Sequence, residues 1–286
     1  MTVEIVAAQP ADAATLGRIC YDAFRVVQAR HGLPPDWESP AAAECALGLL
    51  IADPAVVAVM AIAAGHIVGS NFLSHHDAWG GIGPLSVTPR WQGRGVGRAL
   101  MTAVLAVAEV REVPQVRLQQ DAANMASLAL YASLGFVARE TTVVMEVRAT
   151  GRPSSGVRAA TGADLEEIAR LSQQHLQLSR RQEVAAAMDH GFTVLVQDGP
   201  GGLGGYFIAG RRGHGVATGE ATMLTLIHAA ACVLAPAPLR FFCPLREASL
   251  LCALLATGCQ AAKMMTLMTR GPYASPDPIW LPSVLG

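Results

Sequence analysis

The stretch Arg90-Trp91-Gln92-Gly93-Arg94-Gly95-Val96-Gly97-Arg98-Ala99-Leu100 decides the reading of this chain. It follows an apolar run, Ile82-Gly83-Pro84-Leu85-Ser86-Val87, that ends in Thr88-Pro89. It opens into a segment with Val96, Leu100, Val104 and Val107 at helical spacing, which predicts a helix with one apolar face. A strand, a glycine-rich turn and a helix start leave several backbone N–H groups without intrahelical acceptors, and such a cluster favours phosphate. Arg90, Arg94 and Arg98 lie along the same turn.

Two familiar phosphate loops are excluded by their own chemistry. A P-loop needs Lys and then Ser or Thr after its last glycine. Here Arg98 and Ala99 follow Gly97, and the only lysine in the chain is Lys263. A dinucleotide fingerprint needs G-x-G-x-x-G directly after a strand. Here the spacing is G-x-G-x-G, and five residues, 88–92, intervene.

A second motif lies downstream. Val116-Arg117-Leu118-Gln119-Gln120 reads as a strand, and Asn124 through Phe136 (NMASLALYASLGF) reads as a capped helix. Asn124 suits an N-cap and Gly135 a C′ position. Asn124 and Tyr131 are two turns apart and share a face. Gln92 to Gly97 fits Q/R-x-x-G-x-G/A, and Asn124 to Phe136 fits N-x-x-A-x-x-x-Y-x-x-x-G-F, with Ser127 in place of the alanine. Both motifs, in this order, resemble the coenzyme A loop and following helix of the GNAT superfamily of N-acetyltransferases. The resemblance covers residues 3–147.

That resemblance implies an α/β (α+β) fold with a mixed, splayed central sheet flanked by helices. It implies acyl transfer from acetyl-CoA, as acyl-donor substrate, to an acceptor that is most often an amine. The pantetheine arm would lie against Leu85, Ser86 and Val87, borrowing backbone hydrogen bonds like an added strand. Gly80-Gly81-Ile82-Gly83-Pro84 supplies glycines for a bulge there. Gly93 and the amides of Arg94, Gly95, Val96, Gly97 and Arg98 would hold the pyrophosphate, and Gln92 would fix the loop. Asn124 and Ser127 would face the coenzyme. Tyr131 is the candidate acid, its ordinary pKa of about 10 lying near a thiol's ~8.5. A backbone N–H near Val87 would stabilise the oxyanion. The strand before the loop carries no acidic residue, so the general base stays open; His75, His76 and Asp77 are candidates, beside a plain surface turn. Tyr21, Phe24, Trp37 and Glu38 either shape the acceptor site or simply pack.

Composition sets the remaining bounds. Hydrophobic residues make up 52% of 286 and charged residues 15%, enough for a large core. A net charge of −1 argues against nucleic acid, which would want a basic face. Cys20, Cys45, Cys232, Cys243, Cys252 and Cys259 form no C-x-x-C, so no metal site is expected and the thiols read as core residues of a cytoplasmic protein. The apolar stretches 46–68 and 221–239 are broken by Asp53-Pro54 and by His228 with two prolines, so neither is expected to span a membrane.

The chain repeats itself. Ala8-Gln9-Pro10-Ala11-Asp12 aligns with Ala160-Thr161-Gly162-Ala163-Asp164 at an offset of 152, and in each an Asp is expected to cap the first helix. Residues 204–210 resemble 65–73, and 251–259 resemble 128–136. The expected organisation is a catalytic GNAT domain at 1–148, a linker at 149–156, and a degenerate copy at 157–286. The second copy has no glycine loop after Thr218-Gly219, and Leu254 replaces the motif tyrosine. Coenzyme is therefore expected in the first copy only. The second would complete the fold, wall the acceptor site or make a homodimer contact, and residues 276–282 are candidates to cross back to the first domain. Three functions follow: N-acetylation of a small-molecule amine, a non-catalytic acyl-CoA-binding sensor, or acetylation of a protein.

Overall fold

A computed structural model describes residues 2–149, 156–210, 213–277 and 279–284. They form two compact units. One runs up to Val137 and takes in Thr269–Gly271; the other comprises Ala138–Met268 with Pro272–Val284.

In the first unit, β1 (Glu4–Ala7) leads through a 3-10 turn into α1 (Ala13–His31) and α2 (Pro40–Ala52). Then come β2 (Val56–Ala63), β3 (His66–Ser74), β4 (Trp79–Ile82), β5 (Ser86–Val87), α3 (Val96–Val110), β6 (Gln115–Asp121) and α4 (Met125–Ser133). The strands run in the order β1-β2-β3-β4-β6, antiparallel except for the parallel β4–β6 pair, and β5 pairs with β3. The β2–β3 hairpin turns on Ala64 and Gly65, both at positive φ (51° and 74°), the left-handed geometry a tight hairpin prefers. Leu16, Cys20, Leu47, Met60 and Phe72 form a buried cluster. The buried stripe of α3 is Val96, Leu100, Met101, Val104, Leu105 and Ala108; Val107 sits at its margin, half-buried.

The second unit repeats the plan. It contains β7 (Val137–Val147) from Ala138 on, β8 (Val157–Ala159), α5 (Leu165–Leu176), α6 (Arg181–Asp189), β9 (Thr193–Gly199) and β10 (Gly202–Ala209). β11 (Gly215–Ala217), α7 (Glu220–Leu234), β12 (Leu239–Pro244), α8 (Ala248–Ala256), β13 (Gln260–Arg270, as far as Met268) and β14 (Ile279–Leu281) complete it. One sheet has the order β14-β11-β10-β9-β8, and β12 pairs antiparallel with β7. The division between units thus falls after the first residue of β7, whose ladder partner β12 lies in the second unit. Residues 150–155 of the expected linker lie outside the described residues.

The repeat at offset 152 is visible in one hydrogen-bonded device. Asp12 Oδ2 accepts from the Gln9 amide at 2.8 Å, and Asp164 Oδ2 accepts from the Thr161 amide at 2.8 Å. The expectation that these aspartates cap the first helices is corrected here. Each sits in αR geometry, and its side chain reaches back to close the preceding 3-10 turn, leaving the helix amides without a side-chain cap. In the carboxy-terminal segment β14 pairs with β11 of its own unit, and Pro278 lies outside the described residues. Among the described residues no helix is long and apolar enough to cross a membrane.

Candidate active site

The site is built where β4 and β5 part company. β4 follows β6 in parallel from Trp79↔Gln115 to Gly81↔Arg117. β5 stays with β3 through Gly69↔Val87 and Ser70↔Ser86. Between the pairs Leu73↔Ile82 and Ser70↔Ser86, two residues of β3 face three on the other strand, Gly83, Pro84 and Leu85. This is the bulge the glycines foretold, with Gly83 at φ 136° and its amide on the Phe72 carbonyl at 3.0 Å. β6 continues to Asp121 after β4 has turned away. The sheet splays.

The splay frees one edge of β5. The Thr88 amide donates to the Val68 carbonyl at 2.8 Å, so Thr88 points toward β3. Strand groups alternate in direction, so the N–H and C=O of Val87 point to the open edge. Its carbonyl is met there by the Gln92 side-chain amide, which donates at 3.0 Å. Among the described residues no acceptor meets the Val87 N–H, as an oxyanion donor or coenzyme partner requires. Sequence reasoning missed what makes β5 sit so close: Gly69, where a Cβ would lie 2.4 Å from the Ser86 carbonyl oxygen and 3.2 Å from Leu100. A glycine inside an apolar strand was the available signal.

The glycine loop follows. Pro89–Trp91 makes one 3-10 turn that buries Trp91. Gly93 (φ 72°) and Gly95 (φ 83°) take left-handed geometry, and Gly95 is the N-cap of α3. Ala99 is the first α3 residue whose amide finds an intrahelical acceptor, Gly95 O at 3.0 Å. Among the described residues, no acceptor serves the amides of residues 93–98. Gly97 is different in kind. Its φ is ordinary, and an added Cβ would make normal contacts with Leu130 (3.5 Å), Leu85 (3.9 Å) and Val87 (3.9 Å). Its bareness is not demanded by its own neighbours. These contacts also show that the α3 start, β5 and α4 converge on one point. Arg94 lies over the Trp91 ring at 5.4 Å, and Arg98 donates to Ser133 Oγ at 2.7 Å; Arg90 is exposed.

On α4, Asn124 is the N-cap, its Oδ1 accepting from the Ser127 amide at 3.2 Å, and Gly135 takes φ 86° after the helix. Tyr131 is buried against Phe136, ring centroids 6.1 Å apart. Burial pushes its phenol up to about 12, opposed by a hydrogen bond with Ser127. From there, transfer to a thiolate of ordinary basicity runs uphill by roughly 3–4 pK units.

The candidate bases are not brought to this point. His76 bridges Asp53 Oδ2 (2.9 Å, through Nε2) and Ser74 Oγ (2.9 Å, through Nδ1), all largely buried at the β3–β4 turn. That turn lies beyond β4 and the bulge from Val87, on the order of 25 Å of extended chain. Phe24 and Trp37 meet edge to face at 6.4 Å and pack on the core cluster; Glu38 is exposed.

Residues 24–136 match the family model for the Acetyltransferase (GNAT) family. The whole described architecture matches a tandem GNAT protein from the clavulanic acid biosynthesis pathway, with a TM-score of 0.61 at 15% identity over 96% of this chain and 100% of that one. The chain has the fold of a tandem GNAT protein. A putative acetyltransferase from Pyrococcus horikoshii is similar in fold, at TM-score 0.79 and 17% identity, over 99% of this chain and 94% of that one. In sequence, the chain is similar to a mycothiol acetyltransferase of Thermobispora bispora, 43% identical over 89 residues. That match covers 29% of this chain and 30% of the relative, so the chain spans less than a third of the relative's length in alignment.

Proposed function

We propose that this chain is an acetyl-CoA-dependent N-acetyltransferase acting on a small-molecule amine by direct transfer in a ternary complex. The convergence at Gly97 carries the reading: unserved amides of residues 93–98, the open edge of Val87, and the α4 helix bearing Tyr131 meet there. The single amino-terminal copy does the chemistry, with repeat boundaries at 1–148 and 157–286. The relatives named mycothiol acetyltransferases support an acetyl group as the cargo and a small molecule as acceptor.

Acetyl-CoA supplies an activated acyl group and a thiol leaving group. The amides of 93–98 and the positive end of α3 hold the pyrophosphate. The free edge of β5 orients the pantetheine arm through Val87, while Gln92 keeps the loop fastened to that strand. The Val87 N–H is the donor placed for charge developing on the carbonyl oxygen. Tyr131, held neutral by burial, gives a hydrogen bond to the departing sulfur and remains protonated at working pH. The nearest ionisable residues to the bulge do not include a carboxylate on β4 or β5, so an amine that arrives neutral, or loses its proton to water, fits best. The six cysteines are all free, which supports a reducing compartment such as the cytoplasm. Turnover of acetyl-CoA against a panel of amines tests the reading. Tight coenzyme binding with no turnover on any amine would instead make the chain an acyl-CoA sensor, and turnover confined to peptide amino groups would make it a protein acetyltransferase.

A further inference from the structure

The two copies share a register that identifies which strand in the second unit corresponds to β5. In the first unit, Gly69↔Val87 and Ser70↔Ser86 are followed by the Thr88 amide donating to Val68 O at 2.8 Å. In the second, Gly205↔Ala217 and Tyr206↔Val216 are followed by the Thr218 amide donating to Gly204 O at 2.8 Å. The paired glycines also match: a Cβ on Gly69 would press Leu100 of α3 (3.2 Å), and one on Gly205 would press Leu226 of α7 (3.0 Å). β11 is therefore β5 of the second copy, in the same register. By the same alternation of groups, the Ala217 N–H points away from β10, as that of Val87 points away from β3.

The difference lies on that outer edge. β5 has β3 as its sole ladder partner among the described residues. β11 is paired on its outer edge by β14, through Gly215↔Leu281, Val216↔Trp280 and Ala217↔Ile279. β11 and β12 share no ladder, and β14 packs beside β12 as well, so it fills the gap that parted strands leave. Trp280 and Leu281 are fully buried there. His214 locks the arrangement. A carbonyl can only accept, so His214 Nδ1–H donates to Leu281 O at 3.1 Å, and Nε2 accepts a hydrogen bond from the Tyr206 hydroxyl at 2.8 Å. Helix α7 starts directly after Gly219, which is extended rather than left-handed, and places Glu220 where a pyrophosphate would need bare amides.

We propose that β14 is the built-in occupant of the second copy's pantetheine groove: residues 279–281 make, along the outer edge of β11, the backbone hydrogen bonds that a pantetheine arm makes along β5. The chain then holds one coenzyme, and its second groove is filled from within. The identity of the displaced ligand rests on the coenzyme reading of the first copy; the occupancy by β14 does not.

Hydrogen exchange on the full chain, with and without coenzyme A, tests both parts. Coenzyme A should slow exchange at 86–98 and leave 215–222 unchanged; coenzyme-dependent protection at 215–222 would overturn the proposal. In full-length Trp280→Ala, exchange at 215–217 should rise at least tenfold while coenzyme protection at 86–98 persists, and millimolar pantetheine should slow 215–217 again. Unchanged exchange at 215–217 in that variant removes β14 as occupant, and a rise that pantetheine does not reverse removes the equivalence to a pantetheine groove. If Trp280→Ala does not fold, the wild-type comparison still decides. If coenzyme A protects nothing anywhere, the first-copy reading fails, while the 215–217 response still judges β14.

Discussion

Gln92 reaches back across five residues to hold the Val87 carbonyl at 3.0 Å, and that bond ties the glycine turn to the strand edge. It joins two functions that the sequence keeps apart. The loop cannot shift without releasing a strand group already committed to the open edge. Gln92→Ala should therefore weaken coenzyme binding about 5- to 10-fold, equivalent to one ordinary hydrogen bond of ~1 kcal/mol, with little change in thermal stability. Calorimetric titration against wild type measures it, and an unchanged affinity would free Gln92 from this task.

The loop glycines separate into two kinds. Gly95→Ala places a side chain at φ 83° and should lower stability by about 1 kcal/mol. Gly97→Ala meets only ordinary contacts and should leave the melting temperature unchanged. Coenzyme affinity should nevertheless fall in Gly97→Ala and vanish in Gly95→Glu and Gly97→Glu, where charge and bulk face the pyrophosphate. Melting curves beside titrations make the distinction. Full coenzyme affinity in Gly97→Glu would show that the turn is not the phosphate site.

Tyr131→Phe should slow turnover, on the order of 10-fold or more, and leave coenzyme affinity nearly unchanged. Because burial holds the phenol near 12, no alkaline fall in kcat below about pH 10 should trace to it. A wild-type rate in Tyr131→Phe, or an alkaline limb that this substitution abolishes, would contradict the assignment.

Alkaline pH should erode stability in a defined window. Burial pushes Cys20 up to about 12, helped by the Asp36 charge, and Cys243 up to about 12, helped by Glu247. Tyr131 joins them. A raised pKa means that the folded chain keeps protons the unfolded chain releases from about pH 9 for the thiols and 10 for the phenol. The stabilisation is complete below pH 9 and is lost as pH rises toward 12. Urea midpoints between pH 8 and 11 should fall, and Cys20→Ala and Cys243→Ala should each flatten the slope. An equal slope in both variants would show that these thiols do not set it.

Much of this site is legible in the residues themselves, because glycine chemistry is local. Gly93 and Gly95 need left-handed geometry, Asn124 caps its helix, and Gly83 opens the bulge, each for reasons contained within a few residues. What the sequence conceals is long-range. The equivalence of β5 and β11 depends on ladder registers set by Gly69 and Gly205, far from the motifs. The route of residues 279–281 depends on an edge that exists only after β11 has formed. His75, His76 and Asp77 look available beside the strand, but the β3–β4 turn engages His76 with Asp53 and Ser74 well away from Val87. Asp12 and Asp164 carry the right residue type for helix caps, yet a 3-10 turn ahead of each helix redirects both side chains.

The matched threonines have one more implication. After Thr88 the chain inserts residues 89–95 before its helix begins, and after Thr218 it inserts Gly219 alone. Strand register is fixed upstream of both junctions, so lengthening or shortening the connection there turns no side chain to the wrong face. The glycine turn on this scaffold is thus a detachable cassette: a connection of this kind can be lengthened or shortened at a single joint while the framework beneath stays as it was.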